Sequence, residues 1–556
     1  MAVTSLLALS GLALAGRPRV TLRPRVTLRP RGAAMRVASD IEPCAEIFCN
    51  RAINMAHIQA VGFDMDYTLA EYCSETFDLL AYDGAVDKLV GMGYPEAIRG
   101  FEYDPAAYQR GLVMDKRRGN VLKMDRHKYV KVAYHGLTRL TSSERKAIYA
   151  SSFETHNMQS FVSPDYASVD TEFMLVDLAL FCQLVDYKDR QPEAIAPSYA
   201  QIAKDIRQAV DLCHCDGVIK DAVAAEPARY IRPNPGLRLM FERLRAGGKQ
   251  VFILTNSLFD FTDVVMSHLL GDEWQSHLDL VICGARKPGF LLDANLPIFH
   301  VRDDQTLENV DVLRADQAPR LLARSRVFQG GNYNHLHELL GLRSGANLMY
   351  VGDHMYSDIL RSKRTLGWRT VLIVPELDNE MDALRRSGEM QARVQRLQTE
   401  REGLQRSVDG RCMRRLELKR ELDREIESAA GEIESAPSSR AELAQLEAEL
   451  EQLHAKIDTL NREIGPALRQ GHELFHPTWG QLLKAGQQNS KWAQQVQTYA
   501  CLYTSHVTNL ALISPDTRLR VYRDMMPHEI ASMEATNPTL CAPGGFAEDN
   551  EEHDED

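Results

Sequence analysis

Two carboxylates one residue apart end an apolar run in "AVGFDMDYTLAEY" (60–72), Asp64 and Asp66. In a strand, alternate side chains share a face, so the pair converges and repels unless a positive charge sits beside it. Three further apolar runs end on polar residues. "KQVFILTNSLFD" (249–260) runs into Thr255, Asn256 and Ser257, "LDLVICGARKPGF" (278–290) into Lys287, and "NLMYVGDHMYSDIL" (347–360) into Asp353 and Asp358. Acids, a lysine and hydroxyl and amide donors make up the set that phosphoryl transfer uses, which is mostly positioning and charge stabilisation. In that chemistry Asp64 is the nucleophile and Asp66 the acid that protonates the leaving oxygen and then serves as base for water. Thr255 and Asn256 donate to phosphate oxygens, and Lys287 offsets the negative charge. Taken singly, each has a blander reading: Asp66 and Thr68 as turn residues, Thr255 as a helix cap, Lys287 as a surface charge, and Asp358 as an acid favoured near a helix N-terminus.

Something must carry these residues to one place. The three runs, with "WRTVLIVPEL" (368–377), read as buried strands separated by helical patterns. That alternation predicts an α/β fold with a parallel sheet covered on both faces, whose ligands bind at the carboxyl ends of the strands. Asp66 and Thr255 lie 189 residues apart, too far for one crossover helix, so a cap domain is expected between them.

The order DxDxT, T-N-S, R-K-P and G-D-x-x-x-x-D resembles the four motifs of the haloacid dehalogenase superfamily. "GFDMDYTLA", "ARKP", "QRGLVMDKRRGNVLKMD" (109–125) and "DIRQAVDLCHCDGVIK" (205–220) are similar in particular to its cytosolic purine 5′-nucleotidase branch and that branch's nucleotidase-domain relatives. The resemblance implies a HAD-like Rossmannoid core, an aspartyl-phosphate intermediate and a nucleoside 5′-monophosphate substrate of purine type such as IMP or GMP. It also implies Mg²⁺ held by Asp64, Asp66 through its backbone carbonyl, and Asp353, with Asp358 in support. Nucleotide contacts carry over as Arg207, Asp211, His214 and Lys220, though Arg207 and Asp211 are also spaced as an i,i+4 helix pair. Cys215 stands where those relatives place an aromatic residue, and "EFMLVDLALFCQLVDY" (172–187) departs from their purine-gripping segment. These departures keep a phosphatase of another small phosphate ester open, and a non-catalytic coiled-coil interaction protein stands as a third reading. Transfer of phosphate to a nucleoside is a further activity open to the first.

The expected domains are a presequence (1–39), the core (40–75 and 230–380), the cap (76–229), an antiparallel coiled-coil hairpin (381–467), C-terminal helices packing on the core (468–535) and an acidic tail (536–556). The hairpin rests on Leu443, Leu446, Leu450, Leu453, Ile457, Leu460 and Ile464 against Met390, Val394, Leu397, Leu404 and Val408, with breaks at Gly403 and Gly410. It allows a homo-oligomer, dimer or tetramer. "WAQQVQTYACLYTSHVTNLALIS" (492–514) reads as helical.

Residues 1–39 hold seven arginines and no acid, and repeat "RPRVTL", the composition of an organellar transit peptide. A plastid or mitochondrion is therefore expected, with the cytoplasm as the alternative. Removing those arginines takes the formal charge from −12 to −19. An acidic chain of this kind argues against a nucleic-acid partner. No apolar run approaches the roughly 20 residues that cross a bilayer. Ten cysteines without a CxxC pair point to reduced thiols, and Cys213–His214–Cys215 is too tightly spaced for a structural zinc.

Overall fold

Strands that are apolar on both sides need cover on both sides, and ten strands of this chain share one sheet built that way. The computed structural model describes residues 47–149, 164–302, 304–310, 317–428 and 437–521. In chain order the strands are β1 (Ile47–Cys49), β2 (Ala60–Phe63), β3 (Gln250–Leu254), β4 (Leu280–Cys283), β5 (Ile298–Val301), β6 (Leu307–Asn309), β7 (Val327–Gly330), β8 (Leu348–Gly352), β9 (Arg369–Ile373) and β10 (Leu502–Thr504). Their order across the sheet is β1-β10-β9-β8-β2-β3-β4-β7-β5-β6. The seven from β10 to β7 are parallel, and antiparallel β1, β5 and β6 close the edges.

The period-2 alternation divides the core in two. Val61, Phe63, Val251, Ile253, Val281, Met349 and Val351 join one apolar cluster, while Ala60, Phe252, Leu254, Leu280, Ile282, Leu348 and Tyr350 join another. Both clusters are buried, which is why these strands read as continuous apolar runs rather than as alternating ones. The α/β class and the parallel sheet follow from that pattern.

Between β2 and β3 the chain leaves the sheet. It forms helix α1 (Phe77–Gly91), helices α2 (Met174–Arg190) and α3 (Tyr199–Cys215), and a five-stranded antiparallel sheet ordered 138–139, 130–135, 120–124, 113–115 and 166–168. Helix α3 starts where Ser198 accepts from Gln201 N, and it buries Ile202, Ala203, Ile206, Ala209, Val210 and Cys213 at helical spacing. This insertion is bonded to the C-terminal segment. Trp479 Nε1 donates to Ala107 O at 3.1 Å, the buried Lys123 Nζ donates to Trp479 O at 2.6 Å, and Arg126 N donates to Asn489 O at 2.7 Å.

Beyond β9 two long helices, α4 (Leu377–Ser428) and α5 (Pro437–Glu473), pack antiparallel. Arg411 meets Glu449 at 3.0 Å and Arg414 meets Glu442 at 3.0 Å. Val408, Leu450 and Ile457 are buried between the arms. Helix α4 runs unbroken through Gly403 and Gly410, where breaks were expected. Glycine costs only about 1 kcal/mol in a helix, which packing against a partner outweighs.

The segment 492–514 departs from its helical reading. Helix 491–499 is followed by β10 and a 3₁₀ turn at Val507–Leu512. The run "CLYT" is buried between β9 and β1, so sheet pairing overrides the helical periodicity. The C-terminal segment, expected to be helices on the core (468–535), thus contributes a strand of it. The presequence and the acidic tail lie outside the described residues. Among the described residues no helix is long and apolar enough to cross a membrane.

Candidate active site

Four strands of the parallel block, β2, β3, β4 and β8, each deliver a piece of the site beyond their carboxyl ends. β2 stops at Phe63, so the alternation argument for Asp64 and Asp66 does not apply as framed. A tight loop with Tyr67 at φ 53° carries them instead. Asp64 N donates to Val351 O at 2.9 Å, and its Oδ1 accepts from Met65 N at 2.8 Å. Asp66 accepts from the Tyr72 hydroxyl at 2.6 Å on one oxygen and from the Ser257 hydroxyl at 2.9 Å on the other.

Lys287 answers the opening like-charge problem. Its buried Nζ lies 2.8 Å from Asp64 Oδ2 and 2.8 Å from Asp358 Oδ1, and it donates to the Tyr350 hydroxyl at 2.9 Å. Tyr350 in turn donates to Leu254 O at 2.8 Å. Asn256 holds the loop that bears Lys287, accepting from Lys287 N at 2.6 Å and donating to Lys287 O at 3.2 Å. One of its two amide N–H groups is thereby engaged by the backbone, and the other is left for a phosphate oxygen. Thr255 is buried, and its hydroxyl accepts from Ser257 N at 3.1 Å.

Ligand oxygens of Asp64, Asp353 and Asp358 lie within 4.8 Å of one another. Asp353 accepts from the Thr171 hydroxyl at 2.9 Å, and Asp358 accepts from His354 N at 3.3 Å. Gly352 makes room for this, since a Cβ there would come within 2.6 Å of the Asp358 side chain. Burial, opposed by Lys287 and reinforced by Asp358, Asp353 and Asp66, pushes the Asp64 carboxyl well above the usual range. Burial and then Asp358 push Asp353 up to about 6. Burial alone would lower Lys287, but Asp358 and Asp64 hold it well above its ordinary value, so the ammonium persists. Three crowded carboxylates offering only oxygen fit a hard divalent cation, whose charge relieves this repulsion. Asp66 is outside this triad. Its carboxylate faces Tyr72 and Ser257, so it has only its backbone carbonyl for a metal.

The insertion reaches this centre through Arg110. Its buried guanidinium donates to Asp353 O at 3.1 Å and to Glu376 at 2.8 and 2.5 Å, and it stacks 5.3 Å from the Trp492 ring.

The four residues expected to contact nucleotide sit on and just after α3. Arg207 pairs with Asp211 at 2.6 Å and with the buried Asp177 at 3.1 Å, so the i,i+4 pair forms and extends to a third residue. Both residues line a groove of about 540 Å³ with Met114, Lys116, Met174 and Cys215. His214 packs edge-on against Phe173, and burial with Arg207 lowers it to about 4, so it is a neutral ring. Lys220 lies over the Phe261 ring at 5.7 Å, and its charge opposes the burial-driven rise at Asp66.

Sequence reasoning placed Ser257 among the polar strand-end residues without a role, and missed Tyr72, Tyr350, Arg110 and Thr171 as parts of the site. Tyr72 and Ser257 sit inside quoted motifs as a turn aromatic and a helix-start serine. Tyr350 reads as core, Thr171 comes from the insertion with no local signal, and Arg110 lies in the quoted run 109–125 without an assigned role.

A model of the 5′ nucleotidase family matches residues 47–531. The 5′-nucleotidase domain-containing protein 2 of Rattus norvegicus and that of Homo sapiens are each 31% identical over 352 residues. Those alignments cover 62% of this chain and 62% and 65% of the relatives, so the chain spans less than two thirds of their length. A solved structure, a predicted phosphoglycolate phosphatase from Haemophilus somnus, aligns over 57% of this chain and 86% of its own at 11% identity. Its TM-score is 0.24, too low a likeness to argue from.

Proposed function

The chain belongs to the 5′ nucleotidase family, and from that premise we propose that it hydrolyses nucleoside 5′-monophosphates, of purine type such as IMP or GMP first, through an aspartyl-phosphate on Asp64. The observation that supports this best is the convergence of Asp64, Asp353, Asp358 and Lys287, with Asp66 held beside them by Ser257.

Asp64 attacks phosphorus as the ester P–O bond breaks, and Asp66 gives its proton to the departing alkoxide. Asp66, now a carboxylate, takes a proton from the water that hydrolyses the acyl phosphate, which returns Asp64 and releases phosphate. Lys287 holds the charge shared by Asp64 and the phosphoryl group, Asn256 fixes the loop bearing it, and the Thr255 hydroxyl is a donor to phosphate oxygens. Asp64, the Asp66 carbonyl, Asp353 and Asp358 would hold Mg²⁺, which would supply charge neutralisation at the phosphoryl oxygens. The groove lined by Arg207 and Asp211 gives the leaving nucleoside a place. An organellar location, which the arginine-rich residues 17–36 favour, is part of this reading.

One observation favours a second reading, a phosphatase of another small ester. Arg207 is already bonded to two carboxylates, and Cys215 lines the groove where an aromatic would stack on a base. Phosphate release from a panel of nucleoside monophosphates and other esters, with Mg²⁺ or chelator, decides between them. Metal-dependent release favouring IMP or GMP and lost in Asp64→Asn supports the first reading, and release from other esters alone supports the second. Label passing to an added nucleoside identifies transfer. No release from any ester removes both.

A further inference from the structure

Asp66 is asked to give a proton to one oxygen and later to recover one from water. Both steps demand a carboxyl that does not turn. The structure holds it with two side-chain hydroxyls, one from each side of the insertion's root. Tyr72 OH donates to Oδ1 at 2.6 Å and Ser257 OH donates to Oδ2 at 2.9 Å. Each fills one lone-pair direction on its oxygen and leaves the other open, so the mobile proton is confined to the open positions.

Neither hydroxyl is free to wander. The Tyr72 ring is 2% exposed, stacks on Phe77 with centroids 4.0 Å apart, and meets Tyr67 edge-on at 5.2 Å. Its backbone bridges to Ile231, and Cys73 N beside it donates to Tyr230 O at 2.8 Å. Ser257 is held at both backbone ends, its N–H on Thr255 Oγ1 at 3.1 Å and its C=O accepting from Gly284 N at 2.8 Å. Tyr72 is anchored by α1 of the insertion and by the returning chain at Tyr230 and Ile231, whereas Ser257 belongs to the exit of β3. Asp66 thus carries a bond to each of two parts of the chain that are about 180 residues apart in sequence.

We propose that Tyr72 and Ser257 are positioning residues that aim the Asp66 carboxyl at the leaving-group oxygen. This rests on the phosphohydrolase reading above. A fixed acid matters only when the leaving group needs a proton. An alkoxide departs with the O–H bond of Asp66 transferring to it as P–O breaks and Asp64–P forms, whereas a p-nitrophenolate leaves without protonation. Loosening the acid therefore penalises one substrate class and spares the other, which a general loss of structure does not do.

The experiment compares full-length protein with Tyr72→Phe, Ser257→Ala and the double variant, measuring kcat/KM for IMP and for p-nitrophenyl phosphate at saturating Mg²⁺. The expected result is a drop of about 10-fold for each single variant on IMP, with less than a 2-fold change on p-nitrophenyl phosphate. Ser257→Thr, which keeps the hydroxyl, restores turnover of IMP. Equal losses on both substrates, or no loss on either, overturn the positioning role while leaving the phosphohydrolase reading in place. If wild-type protein turns over neither substrate, or if Asp64→Asn turns over both as well as wild type does, the reading itself fails and the inference falls with it.

Discussion

The pocket at the carboxyl ends of the strands and the groove beside α3 contain the same residue types, yet they are built differently. In the pocket, Lys287 and Asp358 are 2% and 0% exposed in their side chains, and the polar groups come from the ends of four different strands. Beside α3, Arg207 and Asp211 are 38% and 63% exposed and sit one helical turn apart on a single element. Charges buried without partners are costly, so the pocket is over-determined by its own electrostatics. An exposed i,i+4 pair is worth only a few tenths of a kcal/mol, so Asp211 is free to change its contacts, while Arg207 keeps a second bond to the buried Asp177 of α2. In the proposed function, reaction chemistry falls to the first kind of place and discrimination between substrates to the second.

The sharpest break of that contrast is Asp64→Asn, which is expected to lower kcat by at least about 10⁴-fold with the protein still folded, as read by single-turnover phosphate release. Lys287→Met comes next. It leaves Asp64 and Asp358 buried without their cation, and its expected cost is about 3–5 kcal/mol of stability along with activity, measured by denaturant unfolding. Unchanged stability would mean that the two carboxylates already share a proton. Mg²⁺ is expected to stabilise the wild-type protein by about 2–3 kcal/mol at a hundredfold excess over its dissociation constant, and Asp353→Asn by much less, in thermal unfolding without substrate. In the groove, Arg207→Met is expected to raise KM about 3–10-fold with kcat nearly retained, the split expected of uniform binding. An equal fall in kcat would move Arg207 into the reacting machinery.

A pH test marks the smaller end. His476 Nδ1 accepts from Thr478 N and Trp479 N, each at 3.1 Å, and burial with the nearby Lys123 lowers the ring to about 4. A base depressed below its unfolded value near 6.5 contributes stability above that pH and loses it as pH falls toward 4. The loss is expected to reach at most about 3 kcal/mol, read as the change in unfolding free energy between pH 7 and 4. His476→Asn keeps an acceptor that cannot be protonated, so its profile flattens over that window.

Apolar runs ending in polar residues are a local signal, and it suffices for the strands that bear Asp64, Thr255, Lys287 and Asp353. A strand buried on both faces must be apolar throughout, and its first polar residue marks where the sheet ends and a site begins. Residues 492–514 show the limit of the same signal. A strand of three residues has too few positions to declare a period, so β10 hides within a helical pattern. The heptad stripe on α5 was legible for the opposite reason, because it repeats over many turns.

Sequence alone determined the class of fold and the residue types of the proposed catalytic set, since both depend on residue types at short spacing along single strands. Tertiary structure alone decided what fixes that set in place. Arg110 and Thr171 reach Asp353 from the insertion, Tyr350 reaches Lys287 from inside β8, and Tyr72 and Ser257 close on Asp66 from opposite ends of a long excursion. Their bonds join positions that no local pattern relates, because hydrogen-bond partners are chosen by distance in space once the sheet has closed.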